Sequence, residues 1–128
     1  MRAPGLALAA AAVLAAEGLA LIVFALIELF GLGAGDASSL PTALALIVLT
    51  LIGAVALLAF AFGTRAGRSW ARSGGVVFQV LAVAIGFAAL TVPPVVWPFV
   101  LGVGLPGVAG FLLLIASARA EGGRAPEV

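Results

Sequence analysis

Apolar residues run almost unbroken through four stretches of this chain, and polar residues gather in the short breaks between them. The stretches cover residues 5–30, 41–62, 75–92 and 98–117. A helix that crosses the hydrocarbon core of a bilayer needs about 20 mostly apolar residues. The pattern therefore predicts an all-α membrane protein, with four transmembrane helices forming two hairpins in a single transmembrane domain over residues 1–128. The first run is longer than one crossing requires, so it can tilt or project past the core. Its rival reading is a secretory leader, but the apolar core of a leader is only about 7–15 residues long. A retained span is the expectation.

The breaks carry recognisable punctuation. Gly31 to Leu40, GLGAGDASSL, reads as a turn-rich loop by its Gly, Ser and Asp content. Pro41 suits the first turn of the second helix, where no backbone donor is needed. Pro93 and Pro94 should end the third span, because proline lacks the amide hydrogen and restricts the residue before it. The middle break, Gly63 to Gly75, GTRAGRSWARSGG, is expected to be a basic loop between the hairpins. The tail ARAEGGRAPEV is expected to fray.

Composition agrees with lipid as the solvent. Hydrophobic residues make up 65% and charged residues 9% of the chain, against about 45–50% and about 25% in soluble domains. So few charges could not cover a soluble surface. There is no Cys and no His, which removes thiolate chemistry, disulfides and the commonest metal ligand. No phosphate-cradling glycine loop, paired catalytic carboxylates or nucleophile–base set is present. The chain is thus expected not to be an enzyme, with no cofactor, no metal and no nucleic acid partner. All its basic residues are Arg, and Ala, Gly, Val and Leu dominate, a bias that fits a GC-rich bacterial genome.

The charges set an orientation. With four spans, Arg2, Arg65, Arg68, Arg72, Arg119 and Arg124 all fall on one side, and the two opposite loops hold no basic residue. By the positive-inside rule both termini are cytoplasmic, in a bacterial plasma (inner) membrane. Trp70 and Trp97 precede the third and fourth spans on opposite faces, where their rings favour the interface. Arg65, Arg68 and Arg72 serve as a topology signal or touch anionic lipid headgroups, each Arg near the surface contributing about 1 kcal/mol.

Glu17 is the main candidate for chemistry. Counted from Gly5 at about 1.5 Å per residue, it lies about 18 Å along the first helix, near the middle of a core about 30 Å thick. A carboxylate there costs at least about 3 kcal/mol on insertion scales, which favours the neutral acid. Such acids often serve proton or cation pathways; alternatively Glu17 bonds a neighbouring helix and locks packing. Glu28 shares its face but lies near the outer end, where water can reach it. Depth counting places Glu17, Thr50, Gly86 and Pro106 in one layer. Pro106 should kink the fourth span and free the carbonyl of Gly102. Glu17 could then donate to that carbonyl or to Thr50. Thr50 can instead bond a carbonyl of its own helix. Gln79 reads as an interhelical hydrogen bonder near the cytoplasmic side. Gly102, Gly104, Gly107 and Gly110 mark the fourth span as a close-packing helix, within the monomer or between copies.

The stretch RSWARSGGVVFQVLAVAIG, residues 68–86, resembles a recurring segment of small four-span integral membrane proteins of actinobacteria. The resemblance rests on Arg68, Trp70, Ala71, Arg72 and Gln79 and implies topology and source, since that group is largely without assigned function. AAVLAAEGLALI around Glu17 also looks like the first span of small multidrug-resistance transporters. Here, however, there is no Tyr, the Trp residues are interfacial, and the charge bias is strong. Two functions are therefore carried forward. One is a small polytopic membrane protein with an accessory or structural role, in a homo-oligomer or with a membrane protein partner. The other is an oligomeric proton-coupled transporter or channel built around Glu17.

Overall fold

A computed structural model describes residues 4–35 and 39–122. Its elements are α1 (Pro4–Gly33), α2 (Leu40–Arg65), α3 (Ser69–Ala89) and α4 (Trp97–Gly122), and no strand occurs among the described residues. All four helices are long and apolar enough to cross a membrane. Arg2, Asp36 and Arg124 lie outside the described residues.

Each helix boundary has a local cause. Pro41 occupies the first turn of α2, where its fixed φ is already helical. The end of α2 is a Schellman turn: the Arg68 amide donates to the Gly63 carbonyl at 2.8 Å and the Gly67 amide to the Thr64 carbonyl at 3.1 Å. That turn needs a left-handed residue, and Gly67 supplies it at φ +79°. The third helix stops at Ala89, short of the expected Val92, and Thr91 caps it by donating to the Ala88 carbonyl at 2.7 Å.

The basic stretch differs from expectation. Only Ala66, Gly67 and Arg68 lie outside helix between α2 and α3, so Gly63–Gly75 is not a loop. Its polar residues sit in the last turn of α2 and the first turns of α3. Arg and Ser are compatible with exposed helical turns, and one glycine at the C′ position is enough to reverse the chain. Similarly, the stretch after Ser117 stays helical to Gly122 rather than fraying there.

Sequential helices pack as antiparallel neighbours, and α4 returns against α1. The four thus form a ring in which α1 faces α3, and α2 faces α4, across the centre. Glycines set the register. Gly18 of α1 meets Leu58 and the Ala54 carbonyl of α2, while Gly107 of α4 meets Ala82 and Val83 of α3. A buried cluster of Ala10, Leu14, Leu57, Ala61 and Leu114 fills the centre toward the Arg-bearing end.

Candidate functional site: an acid–amide pair across the bundle

From Ser69 to Gln79 is about 15 Å along α3 at about 1.5 Å per residue. Gln79 is therefore deep in the bundle, not near its end as expected. The shift follows directly from the earlier start of α3. At this depth Gln79 Nε2 donates to Glu17 Oε2 at 2.7 Å. The bond joins α1 to α3 through the centre of the ring, between helices that are not packed neighbours.

Small residues make the reach possible. Gln79 is wholly buried and lies against Gly110 of α4, where an added methyl would sit 2.8 Å from its Cδ and 3.0 Å from its Nε2. The amide occupies the volume that any side chain at position 110 would need. On the other side, Gly18 follows Glu17 and lets α2 approach α1, with an added methyl 3.0 Å from Leu58 Cγ. The pair is incompletely satisfied: Glu17 Oε1 and Gln79 Oε1 are both buried without a hydrogen-bond partner.

The other expected members of the layer lie elsewhere. Thr50 donates to the Leu46 carbonyl of its own helix at 2.8 Å, the self-contained bond open to any helical hydroxyl. It is at least one turn farther from the Arg-bearing end than Ala54, which faces the residue beside Glu17. Gly86 lies about 10 Å beyond Gln79 along α3, and it does admit a neighbouring backbone, since an added methyl would be 3.2 Å from Gly104 Cα. Helix α4 runs through Pro106 as one element, and Glu17 bonds Gln79 rather than the Gly102 carbonyl. Gly102 itself faces open space, with nothing within 4 Å of an added methyl. The depths of Thr50, Gly86 and Pro106 were measured from Gly63, Ser73 and Arg119, but the helices run on to Arg65, from Ser69 and to Gly122, which shifts each of those positions toward the opposite end.

At the Arg-bearing end, Arg65 lies in the last turn of α2, where a cation favours the helix dipole. Arg68 lies in the turn. Arg72 pairs with Glu121, tying α3 to α4. Glu121 was invisible as a partner because its segment read as a frayed tail. Two buried hydroxyls were also missed, Thr64 and Ser117, neither with a partner for its oxygen. Glu28 is exposed near the far end. Among the described residues no group of three or more His, Cys, Asp or Glu side chains gathers to hold a metal.

The chain matches no family model, no curated protein and no solved structure. What the site can do must be read from its own chemistry.

Proposed function

We propose that this chain is a small multi-pass protein of a bacterial inner membrane with an accessory or structural role, working as an oligomer or within a larger membrane complex. The observation that carries this reading is the Glu17–Gln79 bond. The acid deep in an apolar helix is used to brace two helices of one bundle, while large apolar side chains such as Phe24, Phe62 and Phe87 face outward. Such a surface suits lipid or other membrane helices. The short connection between α2 and α3 leaves little material outside the bilayer for catalysis. Arg65, Arg68, Arg72 and Arg119 at one end support a cytoplasmic placement of both termini. Reporter fusions at Asp36, Gly67, Val95 and the C-terminus should read outside, inside, outside and inside.

The test of function is purification from native membranes in native lipid. A partner in fixed ratio, or a defined oligomer that persists in the Glu17→Gln protein, is expected. A second reading, a proton-linked carrier, is favoured by the two unpaired oxygens of the pair. Proton-coupled flux in vesicles of the purified chain alone, lost in Glu17→Gln with assembly intact, would replace the first reading with the second.

A further inference from the structure

We propose that Glu17 and Gln79 form a site for one proton, carried on Glu17 Oε1 and bonded to Gln79 Oε1, which closes a two-bond acid–amide ring at the centre of the bundle. The proposal depends on the geometry of the pair and holds under either reading of function.

One bond is present, Gln79 Nε2 to Glu17 Oε2. The two remaining oxygens of the pair are both buried and both without a partner. An amide oxygen only accepts, and so does an ionised carboxylate oxygen. With Glu17 ionised, two acceptors are orphaned in an apolar centre, where an unmet hydrogen-bonding group is unfavourable. A single proton taken from water turns Glu17 Oε1 into a donor, so one hydrogen satisfies both. A single bridging water is the rival, since it donates one hydrogen to each oxygen with Glu17 still ionised; carboxylate bands at pH 7 would report it. A divalent cation of the Ca²⁺ or Mg²⁺ kind takes about six to eight oxygens, and the pair offers two.

The surroundings hold the pair in place and supply no rival charge. Leu57 and Ala54 of α2, Gly110 and Leu114 of α4, Leu14 and Gly18 of α1, and Gly75 of α3 lie around this level, and none is titratable. Arg72 and Glu121, at the end of the bundle, pair with each other. Gly110 is the wall behind the amide: a methyl there would meet Gln79 Cδ, Nε2 and Cγ at 2.8, 3.0 and 3.2 Å. The amide of α3 is thus held toward α1 by the absence of a side chain on α4.

Infrared difference spectroscopy of the full chain in lipid tests this. At pH 7 we expect a protonated carboxyl C=O band that Glu17→Gln abolishes. Gln79→Met, which keeps length and removes the amide, should move that band to higher frequency, as for a carboxyl freed of hydrogen bonds. Gly110→Ala, on a different helix, should move it the same way by displacing the amide. Gly102→Ala, in open space, should leave it in place. Should Gly110→Ala fail to fold, Gln79→Met decides alone. Only carboxylate bands from Glu17 at pH 7 would overturn the proposal, as would a carboxyl band unmoved by Gln79→Met in a folded protein.

Discussion

The two halves of the bundle are built differently. Toward the Arg-bearing end lie the buried cluster of Ala10, Leu14, Leu57, Ala61 and Leu114, the buried polar residues Thr64 and Ser117, and the close approaches at Gly63, Gly74 and Gly75. Toward the opposite end, Leu26 to Phe30 of α1 are all exposed, as are Leu40 to Leu46 of α2 apart from Ala43. There the tight backbone contacts among the glycines are Gly86 on Gly104 and Gly107 on Val83. Glu17 and Gln79 stand at the border. In lipid, apolar area alone does not pull helices together; small residues and interhelical hydrogen bonds do. Gly63 against Ala71 and Gly75 against Leu114 permit such packing, whereas Phe30, Leu44 and Leu46 are bulky and turned outward.

That contrast can be broken by substitution. The largest expected effect is Leu114→Ala, which empties part of the wholly buried cluster. It should destabilise by about 2 kcal/mol, near the low end of cavity-forming changes, because lipid removes much of the solvent contribution. Phe87→Ala, at a side chain 71% exposed in the other half, should be near neutral by the same unfolding assay in micelles. Equal losses at both sites would erase the distinction between the halves.

Overpacking gives the next contrast. An added methyl at Gly75 would lie 3.0 Å from Leu114 Cδ1, whereas at Gly102 it meets nothing. Gly75→Val should destabilise by about 1–3 kcal/mol and Gly102→Val should not. A cost at Gly102 would reveal an intermolecular contact through that face.

Third in size is the central bond. Gln79→Leu removes the α1–α3 link and should lower stability by on the order of 1 kcal/mol, the scale of one interhelical hydrogen bond in a membrane. Thr50→Val should change little, because that hydroxyl bonds its own helix. A large loss from Thr50→Val would return it to the polar centre. The smallest effect belongs to Arg72→Ala, which breaks the pair with partly exposed Glu121. About 0.2–1 kcal/mol is expected, shrinking as salt is raised because exposed charges are screened.

These contrasts also mark what was legible beforehand. Four apolar runs gave the four helices, since length and hydropathy are local properties that bilayer thickness constrains directly. Glu17 stood out for the same reason, as an acid inside such a run. Pro41 marked a start through its own backbone preference, whereas Gly67, inside a stretch that reads as loop, became the stop of α2 only in the folded chain. Where a polar helix end stops is less local: Arg65, Ser69 and Arg72 read as loop, although each continues a helix whose hydrogen bonds are satisfied.

What the sequence determined alone was the solvent, the number of helices and the residue most in need of a polar partner. Its choice of partner was a tertiary decision. Thr50, the Gly102 carbonyl and Gln79 all offered polar atoms to Glu17, and no spacing along one helix ranks them. The ring order put α3 across from α1, the register put Gln79 level with Glu17, and Gly110 left the space for the amide to stand between them. A hydrogen bond is satisfied only within about 3 Å, and residues on α1 and α3, with all of α2 between them in the chain, come that close only when packing has fixed every register between them.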